Sequence, residues 1–369
     1  MRVLFLTTAY PTPEQPVSGT FVREHARAAQ TVADVSVVHL DRSSGRKGLF
    51  ELARIEDDVG GLRVRYRRFP RPASYGAFVA GAAVAARRAG KVDVVHAHSF
   101  VSALPGLVLA RALRVPLVYT EHWSVFLPDD PASLTAPMRR LARLALESAD
   151  VVAPVSDAMR QALAELAPRA SFRVVRNAVD EAVFFPPTVP APRGRRLLTV
   201  GLMDDASKGI DVLLGALALV PDARLDVVGD GTLRAGLKRI AADVGVADRV
   251  VFHGLRTKPE IAELMRAADA FVLASRFENN PVVALEALSS GLPVAATTVG
   301  GLPEVIGRAE GVLVPPEDPP ALASAISELL ARPQEDRASV ALRAHGRYGL
   351  AAVGRSLGEL YELAAARRR

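Results

Sequence analysis

The sequence predicts an α/β protein with two Rossmann-like, doubly wound parallel-sheet domains in tandem. Short β-rich apolar runs recur through its 369 residues, helix-length segments separate them, and a Pro-rich break falls near the middle. Continuous apolar runs joined by helical crossovers mark strands covered on both faces. In the first half these are "RVLFLTT", "DVSVVHL", "DVVHAH", "PLVYTEH", "DVVAPVS" and "SFRVVRN". In the second they are "RLLTVG", "ARLDVVG", "RVVFHG", "AFVLAS", "PVAATT" and "GVLVP". The break, "FFPPTVPAPRGRR", has the composition of a linker. The expected organisation is a first domain over 1–183, a linker over 184–196, and a second domain over 197–345. A C-terminal helix over 346–369 is expected to pack back on the first domain. Ligands of such sheets bind beyond the carboxyl ends of the strands, and two sheets facing each other make a cleft.

Composition narrows the class. Half the residues are hydrophobic and 23% are charged, as in a globular protein. There is no cysteine, which excludes disulfides and thiolate metal sites. The opening "MRVLFLTTAYPTP" reads as a first buried strand and not as a signal peptide. The weakly polar run "ASYGAFVAGAAVAA" is shorter than the roughly 18–20 residues that span a bilayer. A cytoplasmic protein, peripheral on the inner face of the membrane, is the expectation.

Net charge is +6, and its excess lies in the first half. Residues 1–180 hold 24 Lys and Arg against 17 Asp and Glu, and the remainder holds 22 against 23. "RVRYRRFPRP" and "MRRLAR" are the densest parts. They read either as solvated surface or as a face for anionic lipid or an anionic acceptor. Nucleic acid is not expected: there is no binding motif, and aromatics make up only 5%.

The most informative stretch is "SRFENNPVVALEALSSGLPV", Ser275 to Val294. It bridges two expected strands. Asn280 reads as a helix cap, Pro281 as the first helical residue, and Gly291 with Pro293 as the stop. Glu278 then lies at a strand's carboxyl end, and Glu286 about 7–8 Å along the helix axis. The amides between them make an anion site at a helix N-terminus. A phosphate at those amides, flanked by two hydroxylated rings, describes a nucleotide sugar. Two acids at this spacing are also common on solvated helices, but Val282, Val283, Leu285, Ala287 and Leu288 leave Glu286 little polar face.

"ENNPVVALEALSSGLPV" resembles the E-x7-E signature of retaining GT-B-fold glycosyltransferases of family 4. The likeness continues, in order, through "VSGTFVREHARAAQ", "DVVHAHSF", "PLVYTEH", "VVAPVS", "VVRNAVDEAVFFP", "VGLMDDASKGIDVLL", "LDVVGDG", "VVFHG" and "GGLPEVI". The resemblance implies two domains facing a cleft and transfer of a sugar from a nucleotide-diphosphate donor, with retention, to an acceptor hydroxyl. It implies Lys208 on the donor diphosphate, His122 and Glu278 on the donor sugar, and Glu286 on the ribose. It adds Gly19 and Thr20 of a glycine loop, and Asn279, Asn280, Pro281 and Val282 of the helix start. It implies no metal requirement. His98, at a second strand end, is assigned to the acceptor side. The family often has an arginine where this chain has Leu202, so Arg256 and Arg276 are the candidate replacements for that cation.

"VVGDGTLRAG" has Arg234 where a dinucleotide fingerprint needs its third glycine, which counts against a nicotinamide enzyme. The acceptor is expected to be lipid-linked, a polysaccharide or a small molecule, in cell-envelope, exopolysaccharide or glycolipid synthesis. The alternatives are a nucleotide-sugar epimerase or a hydrolase on the same plan, or a non-catalytic module that docks on anionic membrane.

Overall fold

A computed structural model describes residues 1–41, 50–66, 71–128, 130, 132, 134–188, 194–332 and 337–368. The chain divides into two compact units, Met1–Ala178 with Leu350–Arg369, and Val179–Gly349. The Pro-rich stretch 184–196 falls inside the second.

The first unit runs β1 (Arg2–Thr7), α1 (Thr20–Gln30), β2 (Asp34–Asp41), β3 (Phe50–Ile55), β4 (Gly61–Tyr66), α2 (Arg71–Ala89), β5 (Val94–His98), α3 (Phe100–Leu113), β6 (Leu117–Glu121), α4 (Ala136–Ser148), β7 (Val151–Pro154) and α5 (Asp157–Leu166). The sheet order is β3-β4-β2-β1-β5-β6-β7, parallel except for β3 against β4. Alternate residues of β1 serve opposite faces. Leu4 and Leu6 join the core beneath α2 and α3, and Val3 and Phe5 join the one beneath α1.

The second unit runs β8 (Arg196–Val200), α6 (Ile210–Ala218), β9 (Arg224–Val228), α7 (Arg234–Asp243), β10 (Val250–Gly254), α8 (Lys258–Ala267), β11 (Ala270–Leu273), α9 (Val282–Ser289), β12 (Val294–Thr297), α10 (Leu302–Val305), β13 (Gly311–Val314), α11 (Pro319–Ala331) and α12 (Arg337–Tyr348). Its sheet, β10-β9-β8-β11-β12-β13, is parallel throughout. The chain then re-enters the first unit as α13 (Leu350–Arg367). There Val353, Leu357, Leu360, Tyr361 and Ala364 are buried with α1 and β1.

Two readings of the sequence need correction. "SFRVVRN" is not a regular strand: it makes a single bridge, Phe172 with Val152, although Val175 N still donates to Pro154 O of β7 at 3.0 Å. The β3–β4 hairpin went unread because β4 lies inside the basic run and looked like surface. Arg63 and Arg65 of that run pair with Glu14 and Asp41, so this part of the excess charge is neutralised within the unit. The rest of that run, 67–70, lies outside the described residues, as does most of the loop "LDRSSGRKGLF". In the turn before β4, Asp57 accepts from Tyr10 Oη, and Asp58 pairs with the guanidiniums of Arg23 and Arg27. Among the described residues no helix is long and apolar enough to cross a membrane.

Candidate active site

Each sheet has one point where the strand order reverses. In the first unit it lies between β1 and β5, and in the second between β8 and β11. Loops leaving the carboxyl ends of the two strands at such a point diverge to opposite faces and leave a crevice. The predicted site residues gather at these two places.

In the second unit, the loop after β8 carries Lys208 and the loop after β11 carries Glu278. Lys208 Nζ lies 2.5 Å from Glu278 Oε1. Ser275 Oγ donates to the same oxygen at 3.0 Å. Glycine makes this approach feasible. Gly209 adopts φ +57°, and a Cβ there would lie 1.9 Å from the carbonyl oxygen of Ala274. Only a residue without a side chain lets the Lys208 turn settle against the end of β11. Thr297 Oγ1 donates to Ser275 O at 2.6 Å, and Arg276 N donates to Ser207 O at 2.8 Å, closing the two loops together.

Glu278, Asn279 and Asn280 are all buried. Helix α9 begins at Val282, one residue later than predicted. Pro281 takes the cap position in extended conformation (φ −69°, ψ 113°), and no side chain caps the helix. Glu286 is 4% exposed. Its carboxylate faces Lys258 Nζ at 3.4 Å, a residue the sequence reading passed over. Neither candidate for the cation expected at Leu202 is uncommitted. Arg256 is exposed and faces Glu260 at 3.8 Å. Arg276 is held by Asp211 at 2.7 Å and Glu317 at 2.5 Å. Leu202 itself is 46% exposed.

In the first unit, Gly19 (φ +65°) is the cap of α1, and Thr20 is its first residue. A Cβ on Gly19 would stand 2.2 Å from the backbone of Ala9, so glycine is needed where the loop after β1 folds back. Across the switch point, His98 ends β5 and His122 follows β6. His98 Nδ1 and His122 Nε2 are 3.1 Å apart, with ring planes 15° from parallel and centroids 5.4 Å apart. Two nearly coplanar rings meeting nitrogen to nitrogen share an N–H···N hydrogen bond. His98 Nε2 is buried with no partner among the described residues. One of the two nitrogens donates to the other, and the geometry is the same for either direction.

His98 is fully buried, whereas His122 is partly exposed. His25 joins them, with Nε2 donating to Arg176 O at 3.0 Å. One ring nitrogen from each of the three lies within 4.8 Å of the others, a spacing that could surround a metal ion. The shared proton, however, turns two of these nitrogens toward each other and not toward a common centre. Burial pushes all three imidazoles below their ordinary range, His25 to about 4. The cluster is therefore neutral at pH 7.

Glu121 was also missed by the sequence reading. It is fully buried, and its carboxylate accepts from the amides of His122, Trp123 and Phe100 at 2.7–3.0 Å. It also accepts from Tyr119 Oη. Burial nevertheless pushes its carboxyl up to about 7. Next to it in the sheet, Ser99 holds φ 69°, ψ 155°, a region that only glycine visits easily. Its amide donates to Thr120 O at 2.8 Å, and its carbonyl caps α3. The strained turn and the buried acid together fix the ends of β5 and β6, and with them the histidine pair.

The comparisons with known proteins agree with this geometry. Residues 18–183 match the family described as Glycosyltransferase Family 4, and residues 194–332 match Glycosyl transferases group 1. A 2-deoxystreptamine N-acetyl-D-glucosaminyltransferase of Streptomyces fradiae is 31% identical over 100% of this chain and 98% of its own length. The chain belongs to glycosyltransferase family 4. A second relative of this glycosyltransferase, a D-inositol 3-phosphate glycosyltransferase of Mycolicibacterium gilvum, is 32% identical over 70% of this chain and 64% of its own length. Among solved structures, sucrose-phosphate synthase from Thermosynechococcus elongatus has a TM-score of 0.79 at 23% identity, with 98% of each chain covered. Anabaena HepE, solved with UDP, has 0.77 at 20%, covering 98% of this chain and 100% of its own. At these identities the structures establish the shared GT-B fold.

Proposed function

We propose that this family-4 glycosyltransferase moves a sugar from a nucleoside-diphosphate donor to an acceptor hydroxyl with retention at the anomeric carbon. The observation that carries this reading is the Lys208–Glu278 pair at the switch point of the second sheet, eight residues ahead of the buried Glu286. A diphosphate takes Lys208 as its counter-charge, together with the amides of Asn280, Pro281's neighbour Val282, and Val283 where α9 begins. Glu278, relieved of the lysine, accepts from hydroxyls of the sugar, and Glu286 accepts from the ribose. Within the first unit, Gly19 and Thr20 offer amides and His122 an imidazole, groups that add no net charge.

In the reaction, the bond from C1 to the β-phosphate oxygen breaks and the acceptor oxygen bonds to C1 on the same face. The acceptor proton passes to the departing phosphate. Lys208 and the helix amides stabilise the charge on that phosphate, which is electrostatic catalysis by preorganised groups. These groups supply the positive charge that the diphosphate needs.

Two features bear on the acceptor. The basic excess of residues 1–180 favours a lipid-linked or polysaccharide acceptor at an anionic membrane surface. The relatives' names favour a different reading: 2-deoxystreptamine and D-inositol 3-phosphate are both hydroxylated six-membered carbocycles, so a small cyclitol is the second reading. A thermal-shift panel of UDP, GDP, ADP and their sugars identifies the donor. Product NMR then gives the anomeric configuration, and inversion would rule out the retaining reading. Parallel assays with a cyclitol and with a lipid-linked pool decide between the acceptors. The Glu286→Ala variant should lose calorimetric affinity for the donor, and unchanged affinity would remove Glu286 from the site.

A further inference from the structure

We propose that Lys258 is a positioning residue for nucleotide recognition: it holds one oxygen of Glu286 so that the carboxylate's other lone pairs meet the ribose hydroxyls. This rests on the reading of Glu286 as the ribose ligand. Lys258 Nζ is 3.4 Å from Glu286 Oε1, with the lysine side chain 23% exposed and the glutamate side chain 5%. The ammonium also stands 6.0 Å from the centroid of the Phe184 ring, which is fully buried. The α8 start that carries it is fixed: Thr257 N and Oγ1 both donate to Glu260 Oε2, at 2.8 and 2.7 Å. This is a capping box, with proline in the first turn.

The location argues for a purpose. Lys258 is the first residue of α8, at the positive end of the helix dipole, where a cation is disfavoured. A buried carboxylate without a cation is worse still, and the lysine meets that need at Glu286. A carboxylate offers about four lone-pair sites on two oxygens. An ammonium is a point charge that engages one oxygen, whereas a guanidinium fork would claim both. Lysine at Glu286 Oε1 therefore orients the carboxylate without a fork across both oxygens, the arrangement proposed to present it to two vicinal hydroxyls. Arg256, two residues earlier and favoured by the sequence reading, points to Glu260 instead.

The test is a cycle between Lys258 and the ribose hydroxyls. Binding of UDP, GDP and ADP and of their 2′,3′-dideoxy counterparts is measured by calorimetry, with wild type, Lys258→Met and Lys258→Gln. Wild type should prefer the ribonucleotide that binds over its dideoxy form by at least about tenfold, the scale of a hydrogen bond to a charged group. Either variant should weaken the ribonucleotide about tenfold and leave the dideoxy form within about twofold of wild type. Equal weakening of both nucleotides would overturn the proposal, because a general loss of charge or of folding acts on both. No weakening of either would overturn it as well. Melting temperatures of both variants show whether α8 remains in place. Wild type that does not discriminate the two sugars would instead sink the reading of Glu286 itself, and Glu286→Ala distinguishes that failure from a failure at Lys258 alone.

Discussion

The carboxyl edge of the second sheet is built from ion pairs, and that of the first from neutral imidazoles. Lys208 faces Glu278 and Lys258 faces Glu286 in one, while in the other His98 and His122 share a hydrogen bond and His25 packs its ring against both. Both edges lie at a switch point of a doubly wound sheet, so the fold does not explain the difference. Desolvation does. In the second unit each buried carboxylate is met by a lysine that stays partly exposed. In the first, burial without counter-charge pushes the imidazoles toward their neutral form. The same architecture thus offers one edge suited to a dianionic leaving group and one suited to hydroxyls.

The largest effect expected from this contrast is at Lys208. Replacing it with alanine removes the cation proposed for the diphosphate and leaves Glu278 buried without its lysine. Activity, as kcat/KM, should fall by roughly 10²–10³-fold or more, the scale seen on deleting one preorganised donor from a charged transition state. His122→Ala, which removes no charge, should cost less than Lys208→Ala at saturating donor. The reverse order would break the contrast between a charged and a neutral edge.

The next effect is on stability against pH. His25 is neutral in the folded protein down to about pH 4, against an ordinary value of 6.5. A histidine with a depressed folded pKa contributes stability that is complete above pH 6.5 and is lost as the pH falls toward 4. At about 1.4 kcal/mol per unit, His25 alone accounts for roughly 3 kcal/mol, and His98 and His122 act in the same direction. Denaturant unfolding monitored by Trp123, the chain's one tryptophan, should show the first unit losing stability between pH 6.5 and 5. Because Glu121 titrates in the opposite sense over the same range, the profile is read in the Glu121→Gln background, where a flat result would mean that the cluster is not held neutral.

Glu121 works in the opposite sense. Its folded carboxyl titrates at about 7 against an ordinary 4.5, so its contribution is complete below pH 4.5 and is lost as the pH rises through 7. Glu121→Gln cannot ionise. Its stability relative to wild type should therefore improve by on the order of 3 kcal/mol from pH 4.5 to pH 8. Parallel wild-type and variant curves across that range would show that Glu121 titrates normally.

The two edges were not equally legible in the sequence. The second could be read because its chemistry is local: "ENNPVVALE" places two acids, a proline and a helix within nine residues, and Lys208 sits beside a glycine that the fold requires. The alternation of strand and helix likewise gave nearly every strand of both sheets. Long-range partners were not readable. Lys258 meets Glu286 across 28 positions, and neither residue announces the other. His25 looked like one more residue of an amphipathic helix until β5 and β6 were placed against α1. Glu121 stands beside a histidine at a strand end, and its carboxylate is met by the next two amides and by that of Phe100, 21 positions earlier. Strand β4 was hidden because its arginines find their acids on β2 and in the loop after β1, which no local pattern shows.

The smallest expected effect is at Leu202. Half-exposed at the end of β8, it occupies the position where many members of the family place an arginine, and the two nearby candidates are committed to their own acids. If the second edge handles charge as argued, its donor site works with one cation fewer than is usual. Leu202→Arg should then lower the donor KM by about three- to tenfold at low ionic strength, the gain falling as salt rises because the position is open to solvent. Little should change in kcat, since an added cation that binds ground state and transition state alike acts on affinity only. A rise in kcat with KM unchanged would mean that the leaving group is under-stabilised in the native enzyme. No change in either would mean that the loop after β8 does not reach the diphosphate, and Lys208 would then be the only residue of that loop on the donor.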